Sequence, residues 1–334
     1  MKKLTTSYKV FIVSSLGLLF ACVGDKTPFI NNDCEPFESD LDIVIQAFSV
    51  ESPEFRFPHF NPNNSSEFVY AFEDREMHEY KLMKYNIQTG INTELLSNAN
   101  IPSEPKWSSE GWIAFITKKF GHNQVFTIKQ NGDSLTERTL PSSGLYSNPF
   151  WDASGSTLYW QDYNSSNSYF FKQGLYSSDL ETVLQPSDAT PEHNSMPSLS
   201  VSNRFLAKIR LNYQLHFVVT PQNSEDFTSI LNVQDEFNRA ITGLTWSTTN
   251  ETAYFTVYHD GLYKINVNSG EYTKIMEFCD TKRYEAISCS PDGTQLIGER
   301  VDRSLFGNLG EILEIYSIYS INLQTLEETK INID

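Results

Sequence analysis

The side chains best equipped for chemistry are unevenly placed along this chain. Of nine arginines, six (Arg75, Arg210, Arg239, Arg283, Arg300 and Arg303) fall in short polar stretches between apolar runs. So do four of the six histidines, His78, His122, His193 and His259. Guanidinium forks hold carboxylates bidentately. On a chain with a net charge of −17, such a cluster is expected to receive a carboxylate-bearing partner. The competing expectation is that these arginines pair with nearby Glu73, Asp74, Glu236, Asp280, Glu285 and Asp302 and only staple loops. The histidines come from separate repeats, and no metal site is read from them. With 42 acidic residues, no catalytic carboxylate pair stands out. The chain has no Gly-x-Ser-x-Gly elbow, His-Glu-x-x-His motif or glycine-rich phosphate loop. No catalytic residue, metal or cofactor is therefore assigned. The stretch Asp162-Tyr163-Asn164-Ser165-Ser166 lacks the Gly and distal Glu of a calcium loop and reads as a solvated hairpin tip.

The elements that must position these residues repeat. An apolar or aromatic anchor, a polar turn and an apolar strand recur six times, every 43 to 48 residues. The copies run from Pro58-His59-Phe60-Asn61-Pro62, through Pro105-Lys106-Trp107-Ser108-Ser109 and Pro149-Phe150-Trp151-Asp152-Ala153, to Pro197-Ser198-Leu199-Ser200-Val201. Leu244-Thr245-Trp246-Ser247-Thr248 and Ile287-Ser288-Cys289-Ser290-Pro291-Asp292-Gly293 complete the set. A period near 45 built of short strands specifies an all-β fold, a six-bladed β-propeller of four-stranded antiparallel blades. The blades are expected near 55–97, 104–140, 147–185, 195–231, 241–276 and 284–333. Trp107, Trp151 and Trp246 should occupy equivalent buried positions on innermost strands, with Cys289 the small apolar anchor of the last blade. With the strands of each blade lettered a to d outward, the b–c turns and d–a connections emerge on one face. The arginines and histidines fall in those segments. Asp42–Val50 reads as a further strand, expected to pair with the last blade and cover its edge.

The repeat, with Ser290-Pro291-Asp292-Gly293 its best copy, resembles that of the TolB-type six-bladed propellers over roughly residues 55–333. The second hairpin, such as Leu262-Tyr263-Lys264-Ile265-Asn266 followed by Gly270, is similar to the family's as well. The resemblance implies periplasmic or outer-membrane residence and protein–protein binding, and brings no catalytic residues.

At the N-terminus, Lys2, Lys3 and Lys9 precede an apolar run from Val10 to Ala21, too short to span a bilayer and suited to a secretory signal. Leu19-Phe20-Ala21-Cys22 resembles a bacterial lipobox, although Phe20 is bulkier than usual there. This divides the chain into a signal peptide (1–21), an acylated Cys22 with a flexible tether (22–39) and the propeller (40–334). Acylation would anchor the protein to a membrane of the bacterial envelope, with the outer membrane preferred. Cys34 precedes the first blade and Cys279 the last; in a closed ring these are neighbours, which makes a Cys34–Cys279 disulfide an expectation in an exported protein. The strong negative charge argues against nucleic acid as a partner. Two function classes follow. One is a non-catalytic platform for an envelope protein or peptide, with an anionic partner favoured. The other is a carbohydrate-active protein that binds or cleaves an acidic glycan in the funnel.

Overall fold

The computed structural model describes residues 48–333 except 51, 98–99, 101, 120, 140–145, 165–166, 185–193, 204, 211–213, 220–238, 280 and 307–310. After the short β1 (Phe48–Val50), the first blade comprises β2 (Glu54–Asn61), β3 (Asn64–Asp74), β4 (Glu79–Asn86) and β5 (Asn92–Ser97). The second comprises β6 (Ser103–Trp107), β7 (Trp112–Lys119), β8 (His122–Lys129) and β9 (Thr136–Glu137). The third comprises β10 (Tyr146–Trp151), β11 (Thr157–Asn164), β12 (Asn167–Gly174) and β13 (Leu180–Leu184). A three-stranded sheet follows, β14 (Asn194–Leu199), β15 (Phe205–Arg210) and β16 (Gln214–Val219). Then come β17 (Ile241–Trp246), β18 (Thr252–Val257), β19 (Gly261–Asn266) and β20 (Tyr272–Glu277). The last blade holds β21 (Lys282–Cys289), β22 (Gln295–Phe306), β23 (Glu311–Asn322) and β24 (Glu328–Lys330). Strands within each sheet pair antiparallel in chain order, so the molecule is an all-β propeller of four-stranded antiparallel blades.

The expectation of six four-stranded blades is corrected in one respect: five blades are complete among the described residues. The sheet β14–β16 has three strands, and the sequence following it (220–238) lies outside the described residues. That stretch is rich in Gln, Asn, Asp and Glu and lacks the clean alternation that marks the other outer strands.

Local chemistry explains why the chain turns where it does. At the c–d hairpin of three blades an asparagine side chain accepts two amides of its own turn. Asn86 accepts from Gln88 and Thr89, Asn266 from Asn268 and Ser269, and Asn322 from Gln324 and Thr325. The fifth residue of each turn is left-handed. Glycine serves at Gly90 and Gly270, whereas Leu326 adopts φ 60°. At the a–b turns a Ser or Asp caps the corner instead. In Ser290-Pro291-Asp292-Gly293 the Ser290 hydroxyl donates to Asp292 and accepts from Gln295 N, while Asp292 also accepts from Thr294 N. These hydrogen bonds hold the Asp292 carboxyl down at about 2, against the opposing effect of partial burial.

The core is distributed between blades, not gathered at one centre. Trp107 packs with Val69, Leu82 and Leu95 of the preceding blade, and Trp151 with Trp112 and Ala114. Phe60 packs with Ile297 and Ile318 of the last blade, which closes the ring between first and last sheets. The repeat register is thereby confirmed: Trp107, Trp151, Trp246 and Cys289 end innermost strands and are all buried. Burial raises the Cys289 thiol to about 11, as suits a small apolar anchor.

β1 pairs with the last blade as expected, but parallel, along β23 at Ile312–Glu314. The short β24 takes another part of the same strand, at Tyr319–Ile321. All four strands of the last blade come from the C-terminal segment, and β1 adds to them.

Candidate functional site

The innermost strands β2, β6, β10, β14, β17 and β21 surround a central channel; each contains a bulge, which lies just before the residue preceding the anchor in all but β17, where it falls earlier, between Ile241 and Gly243. Phe57, Glu104, Asn148 and Ala286, each three residues before its anchor, adopt left-handed φ of 46° to 54° there. Side chains other than glycine lose roughly 1–2 kcal/mol in this conformation. Neighbouring blades supply compensating hydrogen bonds: Phe57 N donates to Glu299 (2.8 Å) and Asn148 N to Glu104 (2.7 Å). The bulges divide the channel into two ends with different chemistry.

At the end where the d–a connections emerge, ions form one continuous network. Arg75 pairs with Glu73 (2.8 Å) and Glu54 (3.0 Å), and Arg56 reaches Glu54, Glu285 and Glu299. Arg283 bridges Glu285 (2.6 Å) and Glu314 (2.9 Å), and Arg303 also holds Glu314 (2.7 Å). Arg303 then donates to His259 Nε2 at 3.1 Å, and Arg239 donates to the His259 carbonyl. Aromatic rings lie against the guanidinium groups: Tyr316 under Arg56, and Tyr258 between Arg283 and Arg303. Arg283, Arg303 and the Tyr316 hydroxyl all bond to Glu314, which outweighs its burial and brings the carboxyl down to about 2. Glu299 is fully enclosed, and burial raises its carboxyl to about 7 in spite of Arg56.

Five residues expected from the sequence, Arg75, Arg239, Arg283, Arg303 and His259, are thus brought together. Arg300 belongs to a second cluster with Asp302 (2.7 Å), Glu328 and Lys282. His78 and His122 are exposed at hairpin ends of the first two blades. The backbone of Arg210 ends β15, opposite Gln214. The expectation of unpaired guanidinium groups fails for Arg75, Arg283, Arg300 and Arg303, each of which has a carboxylate partner. With many acidic residues nearby, electrostatics pairs them before any ligand arrives. Arg56, the centre of the network, was passed over because it lies on strand a and not in a connection.

Cys279 is disulfide-bonded and Cys289 is free. Cys22 and Cys34, and so the acylation and the Cys34–Cys279 pairing, lie outside the described residues.

At the opposite end, where the a–b turns lie, a cavity of about 330 Å³ opens among the anchors. The residue just before each anchor lines it: His59, Lys106, Phe150, Ser198, Thr245 and Ser288. Three of these stitch blades together by accepting the amide of the next blade's anchor. Trp107 N donates to His59 Nδ1 (3.2 Å), Cys289 N to Thr245 Oγ1 (3.2 Å) and Phe60 N to Ser288 Oγ (3.2 Å). Two tryptophan indoles add to this: Trp151 donates to the Lys106 carbonyl and Trp246 to that of Ser198. Burial, with the Lys106 charge second, brings His59 down to about 3, so its ring is neutral. This cavity was not anticipated, although the position before the anchor can be read directly from the repeat.

No protein-family model matches the chain, and no curated protein does. Solved structures match it in fold. The putative TolB from Agrobacterium tumefaciens aligns with a TM-score of 0.54 at 13% identity, over 73% of this chain and 88% of that one. The fold is that of a TolB-like β-propeller. An oligogalacturonate lyase in complex with manganese aligns at 0.56 with 8% identity, over 83% of this chain and 76% of the other. A puromycin hydrolase complexed with PGG aligns at 0.53 with 11% identity, over 85% of this chain and 54% of the other. At such identities the likeness extends to the fold alone, which hosts unrelated activities.

Proposed function

We propose that the chain is a lipid-anchored propeller of the bacterial envelope, held through acylated Cys22, that docks a protein or peptide partner without transforming it. The docking surface is the channel end that carries Arg56, Arg75, Arg239, Arg283, Arg303, Tyr258 and His259. In this reading β14–β16 is the fourth of six blades, as the repeat spacing requires. The observation that carries the proposal is the rim of guanidinium groups held against tyrosines and carboxylates. Tyr and Arg are the residue types that dominate binding energy at interfaces. Side chains already immobilised lose little further entropy on docking. Several acyl chains on Cys22, at about 0.8 kcal/mol per buried methylene, would make the anchoring effectively permanent.

The test uses the anchored protein in its own membranes. A photocrosslinking residue at Tyr258 should capture one recurrent partner, and Arg303→Glu should abolish capture while leaving the fold intact. Capture that survives this charge reversal would remove the site. Cys22→Ser should abolish labelling by a fatty-acid analogue; persistent labelling would remove the anchor. A glycan array run alongside decides between the function classes. An acidic oligosaccharide retained by the native rim and lost in Arg303→Glu would replace the peptide partner with a glycan.

A further inference from the structure

Lys106 breaks the pattern of the ring in which it sits. At the equivalent position His59, Thr245 and Ser288 offer an acceptor to the neighbouring blade, and an ammonium cannot do so. Its carbonyl receives the Trp151 indole, but its Nζ has no hydrogen bond or ion pair among the described residues. The charge of Glu104 offsets part of the burial that lowers the Lys106 pKa, and Glu104 itself accepts from Asn148 N. Lys106 is half-buried and lines the cavity, so its ammonium without a direct partner is only partly compensated by solvent. His59 is neutral and gives no compensation. The cavity's other formal charge, Asp152, is occupied by its own turn, accepting from Ser156 N, Thr157 N and the Ser154 hydroxyl.

Two further lining residues carry buried polar atoms without partners. The Trp107 indole N–H has none, whereas Trp151 and Trp246 donate theirs to backbone carbonyls. The Ser198 hydroxyl has none either. Buried polar groups in folded proteins almost always have partners. Both atoms are closed off from solvent, so a molecule in the cavity does not reach them, which leaves the Lys106 ammonium as the lining group without a direct partner. The cavity of about 330 Å³ is at the small end of ligand sites and would hold on the order of ten non-hydrogen atoms.

We infer that this cavity binds a small carboxylate-bearing molecule, its charge held by Lys106 and its body seated among Phe150, Trp107 and Ser198. The site lies at the opposite end of the channel from the proposed docking rim and stands independently of it.

The test is calorimetric titration of the full mature chain with glucuronate, lactate and benzoate, each compared with its amide. At least one acid should bind, its amide about tenfold or more weaker, since the charge-assisted bond is lost. Lys106→Met should reduce binding of that acid by at least a similar factor, and Arg303→Glu should not change it. The inference is overturned if none of the three acids binds, if an amide matches its acid, or if Lys106→Met binds equally well. Should Lys106→Met not fold, the acid–amide comparison on the native chain decides alone. An absence of carboxylate binding leaves the docking rim standing, and loss of partner capture in Arg303→Glu leaves this cavity standing.

Discussion

The two ends of the channel handle charge in opposite ways. At the connection end, Arg56, Arg75, Arg239, Arg283 and Arg303 are joined through Glu54, Glu285, Glu314 and His259 into a line running across the first, fifth and last sheets. At the turn end, a single lysine faces a cavity among tryptophans and hydroxyls and has no direct partner. Paired and hydrogen-bonded charges, even buried ones, contribute little net stability, but they fix side chains in place. A half-buried charge without a direct partner does the reverse: it destabilises the free protein and rewards whatever neutralises it. The first arrangement suits a preorganised surface, the second a pocket waiting for a small anion.

The turn end should prove the more sensitive to truncation, because its walls are the inter-blade core. Replacing Trp107, Trp151 or Trp246 by Ala is expected to cost about 3–5 kcal/mol in chemical denaturation. Replacement by Phe separates the three. Trp151→Phe and Trp246→Phe lose an indole hydrogen bond to a neighbouring carbonyl and should cost about 1 kcal/mol more than Trp107→Phe, whose indole has no partner. Equal costs for the three would show that Trp107 is bonded after all.

The connection end should respond next most strongly at Glu299, its most deeply buried carboxylate. Glu299 receives Arg56 Nε at 3.1 Å and the left-handed Phe57 amide at 2.8 Å, so Glu299→Ala removes the nearest carboxylate of a half-buried guanidinium and the acceptor of that amide, and should cost about 3 kcal/mol. pH distinguishes Glu299 from Glu314. The Glu299 carboxyl is raised in the folded state to about 7. Its contribution is therefore full below the ordinary carboxylate range and is lost as pH rises towards 7. The Glu314 carboxyl is lowered to about 2. Its contribution is present above the ordinary range and is lost as pH falls towards 2. Thermal scans should show Glu299→Gln flattening the decline between pH 4.5 and 7, and Glu314→Gln flattening the decline on the acid side. The same profile in both variants would mean that the network titrates as one unit.

A covalent staple should matter less. Cys279 leads from β20 into β21 at the connection end and is disulfide-bonded. If its partner is Cys34, as chain order suggests, Cys279→Ser should cost about 2 kcal/mol, and non-reducing peptide mapping should recover a Cys34–Cys279 peptide. A different partner in that map would displace the pairing without affecting the channel.

How far the molecule was legible from its residues depends on the period of the signal. Anchors every 43 to 48 residues carried the register, and Trp107, Trp151, Trp246 and Cys289 sit where that spacing puts them. The blade between Trp151 and Trp246 has the non-aromatic anchor Leu199, and its sheet is the one with three described strands. Connections gathered Arg75, Arg239, Arg283 and Arg303 correctly, because segments joining adjacent strands must emerge at a predictable end. Their pairing was not legible: whether a guanidinium is free depends on side-chain distances of a few ångströms, which no repeat encodes. Lys106 was overlooked for a different reason. It lies inside the repeat unit, where apolar strand pattern masks a channel-facing position, and the bulge at Glu104 has no signature in the sequence.

The smallest expected effect tests whether the connection end is truly saturated with partners. Arg75 is half exposed and bonds Glu73 and the buried Glu54, which also has Arg56 within 3.5 Å. Arg75→Ala should therefore cost less than about 1 kcal/mol at pH 7, because a remaining arginine supports Glu54. The loss should have a pH signature. Burial, then the charge of Glu73, raises the Glu54 carboxyl, and Arg75 opposes that rise by stabilising the ionised form. Without Arg75 the carboxyl rises further, so destabilisation grows as pH climbs through the range where Glu54 ionises. Below the ordinary carboxylate range Glu54 is protonated, and variant and parent should then unfold at nearly the same temperature. High salt should shrink the difference at pH 7 as well. A deficit that persists unchanged in acid would mean that Arg75 acts by packing its aliphatic stem; a deficit of several kcal/mol would mean that the network has no redundancy, and the contrast between a saturated end and an unsatisfied one would fail.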